Sequence, residues 1–270
     1  MIDGWTAGDV ARVVRAPGAD DDKYSRGVVG IRTGSATYPG AAVLGVEAAW
    51  RTGVGMVRYV GSASEAVLAR RPETVTAAGR VQAWVIGSGT DAAPRPESET
   101  TALRDILAGE SPVVVDAGAL DLAVDAAAPV IVTPHDREHA RLREACGLDP
   151  RVDDRVKAAV ETARALGVVV LLKGARTVIA DADGATRRLM VDVPWLATAG
   201  TGDVLAGVLG ALTAASDADP TEIAASAVWV HARAGEIAAC AHGPSGGPIT
   251  ALDVAEHLPR AVGEVLALQR

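Results

Sequence analysis

The segment Thr198-Ala199-Gly200-Thr201-Gly202-Asp203 combines three ingredients of phosphate chemistry. Glycines let the backbone approach an anion closely. The apolar run behind them predicts a helix over Thr201–Ala215, whose unpaired N–H groups and dipole favour negative charge at its start. Asp203 would then stand in the first turn, beside the anion. A carboxylate is electrostatically out of place there unless it does chemistry, such as accepting the proton of a hydroxyl that attacks phosphorus. The same spacing is explained equally well by a plain turn whose helix is capped by Thr201 or Asp203.

Other polar clusters each have a functional and a structural explanation. Lys173-Gly174-Ala175-Arg176-Thr177 follows a fully apolar run; it either faces a ligand or is a solvated turn between strands. Thr133-Pro134-His135 closes another apolar run. His135 and His139 are four apart, the spacing of a helical metal pair, but no third ligand cluster is near in sequence and His139 is placed on an outer helical turn. Glu138 could hold magnesium or water near phosphates, or simply complement the dipole of its own helix. Gly87-Ser88-Gly89 lacks the third glycine and the acidic residue of a dinucleotide-binding fingerprint. His231, His242 and His257 read as structural or surface residues. The five tryptophans read as packing, with Trp195, just before the anion loop, the exception.

The elements that must position these clusters alternate along the chain. Strands are predicted at Val28–Ile31, Val54–Val60, Val81–Ile86, Val113–Val115, Val130–Val132 and Val168–Leu172, followed by a hairpin of Thr177–Ala180 and Arg188–Val191 across Asp181-Ala182-Asp183-Gly184. Helices are predicted at Gly40–Thr52, Thr100–Ala108, Asp136–Cys146 and Asp153–Leu166, with Thr201–Ala215, Thr221–Ala241 and Ala251–Leu268 closing the chain. Pro94–Ser98 and Pro244–Pro248 read as loops, the second of them mobile. Repeated strand–loop–helix order gives an α/β fold with a doubly wound, mostly parallel sheet and helices on both faces. Ligands in such sheets sit beyond the carboxyl ends of the strands, where each of the polar clusters falls.

Composition narrows the classes. The 270 residues are 49% hydrophobic but only 3% aromatic, without phenylalanine, so the core must be Val, Leu, Ile and Ala. That length fits one domain over residues 1–270. A net charge of -8 opposes a general nucleic-acid binder, which needs a basic surface. Two distant cysteines, Cys146 and Cys240, build neither a disulfide framework nor a zinc site, and no signal peptide or membrane span is read; a cytoplasmic protein is expected.

Taken in order, the motifs resemble a known family. Gly34-Ser35-x-x-Tyr38-x-Gly40-Ala41-Ala42, Gly87-x-Gly89, Asp116-Ala117-Gly118-Ala119-Leu120, Thr133-Pro134-His135-x-x-Glu138, Lys173–Thr177 and Gly200-Thr201-Gly202-Asp203 resemble the ADP/ATP-dependent NAD(P)H-hydrate dehydratases of the ribokinase-like superfamily, over about Lys23 to Pro259. The resemblance implies a three-layer ribokinase-like sandwich. It implies Asp203 as catalytic base and Lys173, Gly174, Ala175, Arg176, Thr177, Thr198, Gly200, Thr201 and Gly202 as the nucleotide site. Gly40, Ala41, Ala42, Gly89, His135 and Asp203 would contact the hydrated dinucleotide, NADHX or NADPHX. Mg2+ and ADP (or ATP) would be required, with Glu138 reaching the metal, directly or through water. A homo-oligomer, a tetramer by the family pattern, and a lone dehydratase domain without a fused epimerase are expected. Two departures stand out: Ser88 where the family has Pro, and Asp136-Arg137 where it has Pro-Gly after the histidine. The rival readings are a small-molecule kinase of hydroxyethylthiazole-kinase type and a nucleotide sensor of the same fold that has lost catalysis.

Overall fold

The computed structural model describes residues 2–92 and 95–269. Its sheet has nine strands: β1 (Ile2–Asp3), β2 (Val28–Arg32), β3 (Met56–Tyr59), β4 (Ala83–Ile86), β5 (Val113–Val115), β6 (Val130–Val132), β7 (Val169–Leu172), β8 (Arg176–Ala180) and β9 (Thr186–Val191). Their order is β1-β9-β8-β7-β6-β5-β4-β2-β3. The six strands from β3 to β7 run parallel, and β8, β9 and β1 extend the sheet antiparallel. The parallel strands are near-continuous Val/Ile/Leu runs because both their faces are covered.

One face is covered by α2 (Pro39–Thr52), α7 (Thr201–Ala215), α8 (Pro220–Cys240) and α9 (Ala251–Leu266), and the other by α4 (Glu97–Leu107), a 3-10 segment (Ala117–Asp125), α5 (Asp136–Ala145) and α6 (Arg155–Leu166). Short α1 (Ala7–Val10) and α3 (Ser64–Arg70) complete the first layer. Helix α7 lies against β2, β4 and β5 and beside α2. There the backbones nearly touch, since a methyl group at Gly207 would overlap the Gly45 carbonyl. This contact brings the starts of the two helices together at the carboxyl edge of the sheet.

The predicted elements are all present, with shifted ends. Helix α4 starts at Glu97 rather than Thr100, because Pro96 precedes it in an extended conformation and Glu97 and Glu99 complement its dipole. The expected loop over Pro94–Ser98 therefore survives only as Arg95–Pro96; Pro94 lies outside the described residues. The Asp181–Gly184 turn closes the β8–β9 hairpin, with the Asp181 carboxylate accepting from Gly184 N–H at 2.8 Å. His139 corrects its expected outer position. It is buried on α5, its Nε2 2.9 Å from Thr162 Oγ1, and burial followed by the nearby Arg143 lowers its pKa to about 4.

Candidate functional site

The carboxyl ends of β4, β5, β6 and β7 deliver Ser88, Asp116, Thr133 and Lys173 to one buried network. Lys173 Nζ donates to Asp116 Oδ1 at 2.7 Å, Thr133 Oγ1 donates to the same oxygen at 2.8 Å, and Ser88 Oγ donates to Oδ2 at 2.8 Å. Burial alone would push Asp116 up, but the Lys173 charge and these donors outweigh it and hold the carboxyl below its ordinary range. Burial likewise opposes the Lys173 charge, and Asp116 outweighs it. Lys173 is thus a fixed internal cation, not a solvated turn residue.

The N-terminus of α7 faces this cation. Gly200 occupies the cap position in the left-handed region (φ 90°), and no side chain caps the helix. Thr201 is not the cap: its hydroxyl donates to the Leu196 and Thr198 carbonyls, both at 2.9 Å, tying the loop back. Asp203 is not the cap either. A side chain at position 202 would stand 3.6 Å from Lys173 Nζ, so the ammonium and the open helix start converge on one place. Both favour an anion there. Burial first, then repulsion by Asp116, pushes the Asp203 carboxyl up to about 6, against the pull of Lys173. A carboxylate with that affinity is suited to taking a proton near neutral pH.

Lys173, Gly174, Ala175, Thr177, Thr201 and Gly202 line one cavity of about 390 Å³, closed by Val191–Pro194, Leu196 and α8. Arg176 is exposed at the start of β8 and does not line it, nor do the exposed Thr198 and the half-buried Gly200. Of the second group of predicted residues, Gly40, Ala41, Ala42 and Gly89 lie beyond the carboxyl ends of the paired strands β2 and β4, where the strand order reverses, whereas His135 stands after β6 at the start of α5. Gly34 and Gly89 both have positive φ and pack on the start of α2: a Cβ at Gly89 would overlap Ala41, and one at Gly34 would stand 2.8 Å from the Ala42 methyl. Gly40 faces open space.

His135 and Glu138 form a reciprocal cap on α5. His135 Nδ1 accepts from the N–H groups of Arg137 and Glu138 at 3.2 Å each, and Glu138 Oε2 accepts from His135 N–H at 2.8 Å. The half-exposed His135 ring keeps its Nε2 edge toward solvent and Glu138 Oε1, at 3.4 Å. The structural role foreseen for Glu138 is therefore present. Among the described residues no group of three or more His, Cys, Asp or Glu side chains could cage a metal. Glu138 alone offers a carboxylate beside the half-exposed His135 edge, the kind of single ligand that an Mg2+ carried on phosphates would use.

Both departures from the family pattern are accommodated. Ser88 supplies a donor to Asp116 that proline would lack. Asp136 pairs with Arg155, which also donates to the Leu172 and Lys173 carbonyls at 3.3 and 3.1 Å, so the altered loop is stapled to the end of β7. Neither Asp116, the hub of this network, nor His231, which lines the cavity from α8, is among the site residues expected from sequence. Asp116 carried a signal in its position at a strand end; His231 carried none.

The fold is ribokinase-like. A ribokinase-like protein of Enterococcus faecalis superposes with a TM-score of 0.83 at 23% identity, over 96% of this chain and 95% of that one. The ADP/ATP-dependent NAD(P)H-hydrate dehydratase of Bacillus subtilis, co-crystallised with ATP/Mg2+, gives 0.84 at 28% identity, over 97% and 98% of the two chains. The bifunctional NAD(P)H-hydrate repair enzyme Nnr of Mycobacterium leprae is 45% identical over 271 residues, 96% of this chain and 56% of the relative. Residues 29–260 match the carbohydrate-kinase-like family model described as NAD(P)H-hydrate dehydratase. The chain belongs to the NAD(P)H-hydrate dehydratase family. It spans about half the length of the curated relatives it matches.

Proposed function

We propose that the chain is an ADP-dependent hydro-lyase that restores NADH and NADPH from their hydrates. The observation that carries this is Asp203, a partly buried carboxylate pushed up to about 6, on an uncapped helix start that faces the internal cation Lys173. The hydrate bears a ring hydroxyl, and hydroxide leaves poorly. Asp203 accepts the hydroxyl proton as its oxygen bonds to the terminal phosphorus of ADP. The bond from that phosphorus to AMP breaks, and the start of α7 with Lys173 stabilises the migrating charge. Phosphate then departs with the C–O electrons, the neighbouring ring carbon loses a proton, and the double bond returns. Bound Mg2+ would share the phosphate charge, with Glu138 Oε1 reaching it through water.

The nucleotide lies along Lys173–Thr177 and Thr198–Gly202 in this proposal, and the hydrated dinucleotide along Gly40, Ala41, Ala42, Gly89 and His135. Asp203 stands between the two, which suits a group that acts on both. The reading extends to one catalytic domain over the whole chain, a homotetramer and a cytoplasmic setting. The first two follow the resemblance, and the last suits two free cysteines. Among the described residues no helix is long and apolar enough to cross a membrane. The test follows nicotinamide absorbance after mixing the protein and magnesium with hydrated NADH, adding ADP or ATP separately. Nucleotide-dependent return of NADH that is lost in Asp203→Asn is expected. No return with either nucleotide, by folded protein that binds them, would exclude the dehydratase and favour a kinase or sensor of the same fold.

A further inference from the structure

Helix α8 sends one polar side chain into the cavity beside Lys173. His231 is 8% exposed, and its Nε2 is buried without a hydrogen-bond partner. The other buried histidine, His139, has Thr162. Leaving such a nitrogen unpaired is costly, and selection tolerates it where a ligand completes the bond. Burial, partly offset by a bond to the Thr201 backbone and reinforced by Lys173, lowers the His231 pKa to about 4, so the ring is neutral at physiological pH. A neutral imidazole adds no charge to a phosphate. It suits an uncharged polar group, accepting from or donating to it.

The cavity divides accordingly. Its charged end is Lys173 with the start of α7. The rest is walled by apolar side chains, among them Val193, Leu196, Leu205 and Val228. A volume of about 390 Å³ accommodates a base and sugar. We propose that His231 Nε2 is a specificity-determining contact to the nucleoside part of the bound nucleotide, hydrogen-bonding either a ribose hydroxyl or the base edge. This rests on the nucleotide lying in this cavity, as argued above.

The test measures binding of ADP, adenosine and pyrophosphate to the full chain by calorimetry, for wild type, His231→Phe and His231→Asn. Phe keeps the volume and removes the polar atoms, whereas Asn restores a hydrogen-bonding group. The expected result is a loss of about tenfold for both ADP and adenosine with Phe, unchanged pyrophosphate binding, and partial recovery with Asn. KM for ADP rises while kcat and KM for the hydrate hold. Repeating the ADP series with 2′-deoxy-ADP, 3′-deoxy-ADP and inosine diphosphate names the partner, since the analogue lacking it becomes insensitive to the substitution. Equal ADP affinity in wild type and a folded Phe variant would overturn the assignment. So would a loss that appears equally with pyrophosphate, or one that every analogue shows in full. Should Phe fail to fold, unchanged ADP and adenosine affinity in folded His231→Ala overturns it in the same way. If wild type binds neither ADP nor adenosine, the nucleotide reading of the cavity falls as well, an outcome distinct from a variant that matches a binding wild type.

Discussion

Asp203 ties function to stability through one ionisation. Its carboxyl titrates near 6 in the folded chain and near 3.8 when unfolded. The folded state therefore binds the proton more tightly. The cost of burying the charge is absent below pH 4, grows between pH 4 and 6, and is fully present above 6. Asp203→Asn removes that cost. The variant should be inactive yet more stable than wild type by ~1–3 kcal/mol at pH 7–8, with the gap closing by pH 4. Denaturant titrations at pH 4 and 8 check this, and a variant less stable than wild type at pH 8 would contradict it. In the proposed reaction the active form is the deprotonated one, so kcat/KM should fall tenfold per pH unit below about 6. Asp116 contributes repulsion to that value. Asp116→Asn should move the acid limb of the pH–rate profile to lower pH, because it removes the like charge and releases Lys173 toward Asp203. An unmoved or raised limb would show that burial alone sets the Asp203 titration.

The elements were largely legible because their signals are local. Short runs rich in Val, Ile and Leu mark the parallel strands, those at Val81–Ile86, Val113–Val115 and Val130–Val132 being stopped by Gly87, Asp116 and Thr133, and the Asp-Ala-Asp-Gly turn marks the hairpin. What remained hidden depends on contacts distant in sequence. Asp116 and Lys173 are 57 positions apart, and only the β5-β6-β7 order brings their side chains together. Helix α8 is buried nearly all round, so no periodic stripe distinguishes the face on which His231 meets the cavity. The crossing of α2 and α7 was equally hidden, since Gly45 and Gly207 resemble ordinary helix-weakening glycines until their backbones are seen to touch. That contact sets where the α7 start stands. Gly207→Ala should push the helices apart at a cost of about 1–3 kcal/mol, although alanine is the better helix former. It should also reduce kcat/KM more than a surface Gly263→Ala control, whose position is open. A Gly207→Ala variant as stable as wild type, with full activity, would show that the close approach is dispensable.

At the scale of the whole molecule, cavity size and site location disagree. A groove of about 900 Å³, lined by Pro112, Pro129, Val130, Gly167, Val168 and Thr213 among others, opens at the amino ends of β5, β6 and β7. It is larger than the cavity beside Lys173 but lacks an anion-binding arrangement. Glu110, Asp181, Asp183 and Asp217 line it against a single Arg15. A parallel sheet makes its two edges unequal. The helices that follow the strands start near the carboxyl edge, so their positive ends gather there, and the strand order reverses there as well. A polyanion should therefore bind at the smaller cavity. Amide hydrogen exchange with and without ADP and magnesium discriminates the two edges. Protection is expected at residues 173–177 and most strongly at 201–203, the amides that open helix α7. Residues 111–113, 129–131 and 167–169, at the opposite edge, should exchange unchanged. Protection confined to that opposite edge would mean that the groove is the nucleotide site and that the convergence of Lys173 with the α7 start serves the fold alone.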